Sequence, residues 1–457
     1  MGFKTSLALI TGKLTKFLLN ILNKAGTQFP GTMALKVDPD LIQHMKKPEN
    51  IIAVTGTNGK TTTMNFLSDM LENLNIDVIS NRAGSNTDSG VMTVFLENTS
   101  YFGKIKNNHS VLEMDELWAR RILPFIGIRS LTVTNLFQDS YKRNGNIFFV
   151  RKRLEEALTG EEILILNATD SISSAMAPDH PNRVYFEVRP LFFETEESEN
   201  RINDLPYCPK CKSKIDWSFR RYHHIGYYSC SSCSYTNPKA SYSVLSYREE
   251  DQSLEILDHG EKLRIPCVRK NVETIYNQIA AYATLRENGF SKEELLLSMQ
   301  ELQVTKQRLV EDKIGKKTFT LTISKGYNPV ALSRSLASVA KTLGRKTLYM
   351  VYYDREYQGT TPSHLDAWAF QGDWENLEKI DQLILEGTQG DLFRVAALLS
   401  GIPEDKIKLV NHPKEAMKYF DPEVEEEIFI FCDIEEVNRA DARRVVDCYR
   451  SYVKEGL

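Results

Sequence analysis

The chain has 457 residues, enough for two to four domains with a substantial core. Its hydrophobic content of 42%, charged content of 26% and net charge of −4 are ordinary for a globular protein and do not favour non-specific binding of nucleic acid. No apolar run reaches the roughly 18 residues that a membrane-spanning helix needs.

The N-terminal segment, residues 1–45, begins with an apolar stretch that carries interspersed lysines and lacks a signal-peptide cleavage pattern. At helical spacing, Leu14, Phe17, Leu18 and Ile21 share one face. Two interpretations are open: a helix packed on its own domain, or a helix that makes a peripheral contact with a membrane surface. Under either interpretation we expect a cytoplasmic protein.

The stretch IIAVTGTNGKTTTMNFLSDML, residues 51–71, has the order of strand, glycine turn and helix that a phosphate-binding loop requires. Gly56 and Gly59 let backbone N–H groups approach phosphate oxygens at the helix N-terminus. Lys60 would reach the β- and γ-phosphates, and the Thr61 hydroxyl would ligate Mg²⁺. Because only two residues separate the glycines, an ordinary strand–turn–helix corner is the alternative interpretation.

Strands and helices alternate after this loop, which predicts a parallel, doubly wound sheet in a central domain over residues 46–310. The predicted strands are residues 77–81, 109–116, 129–136 and 161–170, and the predicted helix is residues 271–288. Ligands of such sheets bind at the carboxyl ends of strands, where Glu113, Asn135 and Asn167 fall.

Two C-x-x-C pairs are separated by eighteen residues. Their members are Cys208, Cys211, Cys230 and Cys233. This spacing is typical of a zinc ribbon, in which four thiolates hold one structural Zn²⁺ without an open position for water. We expect the ribbon to be inserted at residues 203–240, with His223 and His224 as surface residues of its hairpin; disulfides are disfavoured in a cytosolic chain.

A second α/β domain is expected over residues 311–457. Its predicted strands are residues 317–324, 346–353, 379–387 and 426–433, and its predicted helices are residues 328–343 and 389–402.

Several of these motifs resemble the central domain of Mur ligases: the loop TGTNGKTT, the acid-tipped strand LEMDE, the strand end LNATD and the pattern N-x₅-N-x-x-A-A. More narrowly, GTQFPGTMALKVDPDLI, LTVTNLFQDSYKRNGN, TISKGYNPVALSRSL and the inserted cysteine ribbon resemble the MurT family, the ligase-like subunits of lipid II isoglutaminyl synthases. The resemblance covers nearly the whole chain and weakens after residue 345.

The resemblance implies an enzyme that transfers the γ-phosphoryl group of ATP to a carboxylate and then displaces phosphate with ammonia or an amine. The carboxylate would be the α-carboxyl of D-glutamate in the lipid II stem peptide, and a GatD-type glutaminase subunit would supply the ammonia within a heterodimer. A stand-alone Mur-type amino-acid ligase of a cell-wall precursor, and a zinc-ribbon protein that binds nucleotide without turnover, are the alternatives.

The resemblance also implies residue roles. Glu113 matches the strand-end glutamate that ligates Mg²⁺ beside Thr61, and Asn135 and Asp139 match positions near the γ-phosphate. The residues expected to contact ATP are Thr57, Asn58, Gly59, Lys60, Thr61, Thr62, Asn135, Asn167, Asn271, Asn277 and Arg308. Arg308 follows Gln307, where the family has glycine.

In this family the C-terminal domain lends an aspartate to the Cys-His pair of the glutaminase. Asp366, in SHLDAWAFQGDWE, is our candidate for that catalytic carboxylate. Asp354 and Asp373 are alternatives, because this stretch departs from the family pattern.

Overall fold

The computed structural model describes residues 2–82, 84–101, 103–139, 145–195, 198, 200–302, 309–323, 328–353, 364–433 and 436–455. The chain divides into two units. The first comprises residues 1–137, 146–197 and 204–304, and the second comprises residues 138–145, 198–203 and 305–457.

The first unit is built of alternating strands and helices. Its strands are β1 (Asn50–Thr55), β2 (Val78–Ser80), β3 (His109–Glu113), β4 (Ser130–Val133), β5 (Ile163–Asn167), β6 (Arg183–Val188), β7 (Asp216–Tyr222), β8 (Ile225–Ser229), β9 (Tyr242–Arg248), β10 (Ser253–Asp258) and β11 (Glu261–Pro266). Its helices are α1 (Phe3–Ile21), α2 (Phe29–Val37), α3 (Leu41–His44), α4 (Lys60–Asn73), α5 (Asp88–Asn98), α6 (Ala119–Ile126), α7 (Ile147–Glu155), α8 (Val272–Glu287) and α9 (Lys292–Met299).

Within the described residues, nine of these strands form one sheet in the order β11-β10-β9-β6-β5-β4-β1-β3-β2. Strands β2 to β6, together with β1 and β9, run parallel, while β10 and β11 extend the sheet antiparallel. The central strands are nearly continuous apolar runs, because both faces of a parallel sheet are covered. The predicted parallel sheet is therefore present, and the antiparallel extension was not anticipated.

The segment that carries the two cysteine pairs is an insertion between β6 and β9. It contains the β7–β8 hairpin, whose strands pair antiparallel. Strands β6 and β9 nevertheless lie side by side, with Phe186 opposite Tyr242. The insertion thus leaves the sheet uninterrupted.

Helix α1 contacts its own unit through small residues. A side chain at Gly12 would lie 2.6 Å from Leu96 and 3.1 Å from Ala34, so α1 packs tightly on α2 and α5. The Thr5 hydroxyl donates to Asp38 at 3.1 Å. The face that contains the predicted apolar stripe, including Leu14, points the other way and is exposed. Among the described residues, the helices fall short of the length and apolar character needed to cross a bilayer.

The second unit has its own sheet. Its strands are β12 (Leu309–Ile314), β13 (Lys317–Ile323), β14 (Lys346–Val351), β15 (Gln382–Glu386), β16 (Ile407–Val410) and β17 (Glu426–Cys432). Its helices are α10 (Pro329–Lys341), α11 (Gly390–Leu399), α12 (Pro413–Ala416) and α13 (Glu436–Glu455), with 3₁₀ turns at His364–Gln371, Trp374–Leu377, Glu404–Lys406 and Met417–Tyr419. The strand order is β12-β13-β17-β14-β15-β16, parallel except for the β12–β13 hairpin.

A buried ion pair joins two strands of this second sheet. Lys317 on β13 and Glu426 on β17 are almost fully buried, with 2.7 Å between Nζ and Oε2. The ammonium also donates to the Val424 carbonyl at 2.9 Å, and the Thr347 hydroxyl donates to the other carboxylate oxygen at 2.6 Å. Each charge is thus paired, as burial requires.

Replacing Lys317 leaves the buried Glu426 carboxylate with a weaker cationic partner, Arg345, whose Nε lies 3.6 Å from Oε1. We expect Lys317→Ala to lower the free energy of unfolding by about 3–5 kcal/mol. Chemical denaturation followed by tryptophan fluorescence measures this change. The matched control is Lys316→Ala, which removes an exposed pair with Glu423 and should cost less than about 1 kcal/mol. Equal losses in the two variants would contradict the assignment.

Candidate active site and cysteine cluster

The predicted phosphate-binding loop joins β1 to α4 and requires both of its glycines. Gly56 has a φ of +127° and Gly59 a φ of +84°. A Cβ at Gly56 would lie 2.3 Å from the Thr134 hydroxyl, and one at Gly59 would lie 2.2 Å from Asn277 Oδ1. The loop is therefore packed against the end of β4 and against α8, and Asn277 lies beside it.

Asn135 holds this loop in shape. Its Oδ1 accepts from the Asn58 N–H at 3.0 Å, and its Nδ2 donates to the Asn58 carbonyl at 2.9 Å. The Thr134 hydroxyl donates to the same carbonyl at 2.7 Å, and the Thr57 N–H donates to the Asn135 carbonyl at 2.9 Å. Asn135 thus shapes the loop rather than standing free at its surface.

Lys60 is the first residue of α4, and its ammonium is buried. It donates to the Gly56 carbonyl and to Glu116, 3.1 Å away. Burial opposes the charge on Lys60, but Glu116, Glu113 and Asp115 together raise its pKa, so the ammonium stays protonated. Burial also raises the pKa of Glu116, which Lys60 offsets only in part.

Thr61 and Glu113, the two predicted Mg²⁺ ligands, are in direct contact. The Thr61 hydroxyl donates to Glu113 Oε2 at 2.7 Å, and the Asn86 amide donates to Oε1 at 2.9 Å. The Asn81 side chain accepts from the Glu113 N–H at 2.8 Å and fixes the end of β3. Mg²⁺ prefers oxygen ligands and keeps several waters, so an exposed hydroxyl and a half-exposed carboxylate fit this ion.

Two of the amides predicted to contact ATP make hydrogen bonds within the fold. Asn167, at the end of β5, accepts from the Thr169 N–H at 3.0 Å and donates to the Thr134 carbonyl at 3.3 Å. Asn271 caps α8 by accepting from the Thr274 N–H at 2.7 Å. These contacts assign both amides a structural role.

The other residues predicted to belong to a functional site lie in different parts of the chain. Thr62 is half-buried in the first turn of α4, and Asp139 is buried in the second unit. Arg308 and Asp354 lie outside the described residues. The backbone of Asp366 is in the 3₁₀ turn at His364–Gln371, and its side chain lies outside the described part of the structure.

Asp373 is an alternative candidate for the carboxylate that would act on the glutaminase. Its side chain is hydrogen-bonded within the second unit. Its carboxylate accepts from the Asn200 amide at 2.5 Å and from the Arg201 N–H at 2.9 Å, and the side chain is 2% exposed. Both oxygens therefore tie residues 200–201 to the turn before Trp374. This geometry gives Asp373 a structural role.

The four cysteines of the C-x-x-C pairs come together as predicted. Their sulfur atoms all lie within 4.8 Å of one another. Cys208 Sγ is 3.6 Å from Cys233 Sγ, and Cys211 Sγ is 3.4 Å from Cys230 Sγ. These distances exceed the roughly 2.05 Å of a disulfide bond and approach the spacing of thiolates around a tetrahedral ion with Zn–S bonds of about 2.3 Å. The cluster therefore fits a metal ion.

The prediction that His223 and His224 are surface residues is wrong. They form the turn between β7 and β8, and both are buried. His224 Nδ1 lies 2.9 Å from Asp204 Oδ2, and its Nε2 lies 3.1 Å from Asp170 Oδ1. Although burial alone would lower it, the two carboxylates raise the pKa of His224 to about 9. His223 Nδ1 lies 3.0 Å from Asp204.

This histidine turn connects the hairpin to the phosphate-binding loop. Asp170 accepts from the Leu136 N–H at 2.8 Å, and the Phe137 ring lies 4.6 Å from the His224 imidazole. The Phe137 N–H donates to the Thr57 hydroxyl at 2.8 Å, and that hydroxyl donates to the Phe137 carbonyl at 3.1 Å. The hairpin therefore supports the loop through residues 136–137.

Sequence reasoning missed Glu116, Asn86 and the histidine turn. Glu116 is the last residue of the acid-rich motif LEMDE, in which a role was predicted only for the first acid, Glu113. The adjacent histidines were visible, but their burial depends on packing against Phe137, which follows β4. Asn86 carries no local signal.

Comparison with known families defines the class. Residues 54–189 match the family model described as the Mur ligase middle domain. Among solved structures, a pseudomurein peptide ligase type C from Methanothermus fervidus aligns with a TM-score of 0.68 at 16% identity, covering 90% of this chain and 80% of that one. MurF from Thermotoga maritima, solved with ADP, aligns with a TM-score of 0.59 at 14% identity, over 93% and 85% of the two chains. The chain has a Mur ligase fold.

More specific relatives cover most of the chain. It is 28% identical over 400 residues to the MurT subunit of lipid II isoglutaminyl synthase (glutamine-hydrolyzing) of Staphylococcus aureus strain COL, covering 86% of this chain and 88% of the relative. It is 26% identical over 428 residues to the corresponding subunit of Streptococcus pneumoniae strain ATCC BAA-255 / R6, covering 92% of each. The chain is thus a homologue of MurT subunits, which confirms the predicted resemblance.

If the cysteine cluster holds zinc, one missing thiolate should release it. We expect the purified protein to contain one zinc per chain by elemental analysis, and Cys208→Ser to lose it and to melt at lower temperature. Cys267→Ser, which alters a half-buried cysteine outside the cluster, is the matched control and should keep its zinc. A wild-type protein that contains no metal and melts at the same temperature as Cys208→Ser would rule out a structural zinc.

The ion pairs of His224 predict a pH dependence. The pKa is about 9 in the folded protein against 6.5 for an ordinary histidine, so this stabilisation is complete below pH 6.5 and is lost as the pH rises through 9. The loss should amount to about 3 kcal/mol. We expect the melting temperature of the wild type to fall over this range, and His224→Gln to remove that slope. His259→Gln, at a largely exposed histidine, should retain it.

Proposed function

We propose that this chain is the ATP-dependent ligase subunit that amidates the α-carboxylate of D-glutamate in the stem peptide of lipid II, forming D-isoglutamine. The function belongs to peptidoglycan synthesis at the cytoplasmic face of the membrane. A separate GatD-type glutaminase would supply ammonia in a heterodimer. The relatives named MurT, which align over most of the chain, support this assignment.

The observation that carries the proposal is the arrangement around Lys60. A protonated ammonium at the start of a helix stands beside a hydroxyl and a carboxylate that touch each other, Thr61 and Glu113. Phosphoryl transfer depends on positioning the phosphates and neutralising their charge, and these groups supply both. Phosphate oxygens would compete with Glu116 for the ammonium, and Thr61 and Glu113 would hold Mg²⁺.

The chemistry follows from the weakness of a carboxylate as an electrophile. A carboxylate oxygen attacks the γ-phosphorus of ATP, the bond from that phosphorus to the bridging oxygen breaks, and ADP leaves. Ammonia then attacks the acyl carbon, the bond to phosphate breaks, and the proton lost by nitrogen leaves with phosphate. Mg²⁺, when bound, offsets charge on the transferring group. Lys60 does the same through its fixed ammonium.

The rest of the chain has assignable parts in this proposal. The cysteine cluster would hold a structural Zn²⁺, because four thiolates leave no position for water. Asp366 would orient the histidine of the glutaminase, since Asp373 is committed to hydrogen bonds with residues 200–201. Amides of residues 57–62 would face the phosphates, as the N-terminus of a helix favours.

The test supplies purified chain with lipid-linked stem peptide, ATP and Mg²⁺, together with ammonium salt, or with glutamine and a GatD-type subunit. ADP release and the mass of the peptide are measured. We expect Lys60→Met to reduce both by at least roughly 100-fold. Glu113→Gln should reduce both and raise the Mg²⁺ concentration needed, whereas Glu49→Gln, at an exposed acid, should change neither.

The outcomes separate the alternatives. Amidation with ammonium by the isolated chain, and with glutamine only when the partner is present, supports the proposal. Product formed from a free amino acid would instead support a stand-alone ligase. Nucleotide binding without ADP release or product, in protein that is folded, would overturn the enzymatic assignment.

A further inference from the structure

Helix α1 presents an apolar face that nothing in the described structure covers. This face contains six apolar side chains whose spacing places them on one side of the helix, and each is 45–62% exposed: Leu7, Ile10, Leu14, Phe17, Leu18 and Ile21. The opposite face, with Ala8, Leu9 and Gly12, is buried on the rest of the unit. An exposed apolar stripe of this length marks an interaction surface rather than scattered surface residues.

The charged side chains of α1 itself are all positive. Residues 2–37 contain lysines at positions 4, 13, 16, 24 and 36 and no aspartate or glutamate, although the whole chain has a net charge of −4. Lys13 donates to the Leu96 carbonyl at 2.7 Å, and Lys16 pairs with Glu97 at 2.5 Å. These contacts anchor two of the lysines beside the apolar stripe, and Lys4 is largely exposed.

We infer that this face lies on an anionic lipid surface, with α1 parallel to the membrane plane. A helix with one apolar face, flanking lysines and no acidic residue has the properties of an interfacial helix. Anionic lipid complements the lysines, whereas the same face of a second copy would bring lysines towards lysines. At 19 residues with interspersed lysines, α1 lies on the bilayer rather than spanning it.

The inference rests on the proposed function, because a lipid-linked peptide can be reached only at a membrane. Lipid II carries its polar part at the bilayer surface, so an enzyme held there by α1 meets its substrate by diffusion in two dimensions. The membrane face and the phosphate-binding loop belong to the same unit.

The experiment measures co-sedimentation of the full chain with vesicles of phosphatidylcholine, with and without phosphatidylglycerol. We expect binding to the anionic vesicles, weakened by salt, and at least a tenfold loss of binding in Phe17→Glu/Ile21→Glu. The control is Leu343→Glu/Leu399→Glu, which places the same charges on exposed apolar positions elsewhere and should bind as the wild type does. Circular dichroism verifies that the variants are folded.

Equal vesicle binding by wild type and the α1 variant, or no binding by either, would overturn the inference. Self-association of the wild type that the α1 variant abolishes, without vesicle binding, would assign the face to a second copy instead. Amidation of a water-soluble stem peptide is measured in parallel. If that activity is intact while vesicle binding is absent, only this inference fails; if vesicle binding is present and no amidation occurs, only the proposed function fails.

Discussion

The side chain of Asn135 accepts a hydrogen bond from the Asn58 N–H and donates one to the Asn58 carbonyl. The shape of the phosphate-binding loop depends on these two contacts. Within the loop Lys60 donates to the Gly56 carbonyl, and the backbone groups of Thr57 and Asn58 need further hydrogen bonds. Residues after β4 supply them, and α8 closes the other side so tightly that Gly59 leaves no space for a side chain. The positions of the loop amides are therefore set by neighbouring elements, which pre-organises the start of α4 for an anion.

The electrostatics of the site follow from this arrangement. Glu113, Asp115 and Glu116 surround one buried ammonium, so carboxylates outnumber the fixed positive charge near the loop. A nucleoside triphosphate that arrives without a cation would be repelled by this excess of negative charge. A divalent cation bound at Thr61 and Glu113 would neutralise the excess. Nucleotide and metal are consequently expected to bind as one unit. The three acids keep Lys60 protonated, but their negative charge also makes nucleotide binding dependent on the divalent cation.

The parts of the molecule that sequence predicts well are those specified locally. Strand β1, the glycine turn and α4 follow each other along the chain, and the cysteine pairs carry their ligand spacing within a few residues, so both were recognisable. The burial of His224 depends on Phe137 and Asp170, which follow β4 and β5, and no local pattern encodes it. Strands β10 and β11 were missed although they carry a local signal, because they pair with each other through a two-residue turn, His259 and Gly260, both with positive φ. The roles of the amide side chains stay predictions, because hydrogen bonding to the fold and hydrogen bonding to a nucleotide require the same groups.

The pairing of β6 with β9 brings together Phe186 and Tyr242, residues separated by the entire inserted ribbon. Closing so long a segment costs chain entropy before any strand contact forms, and that cost decreases when the intervening residues are already compact. A cysteine cluster that binds its metal early would hold Cys208 next to Cys233, which shortens the segment that must close before β9 can pair with β6. The supply of metal during synthesis would then affect how fast the protein folds, and not only how stable the folded protein is.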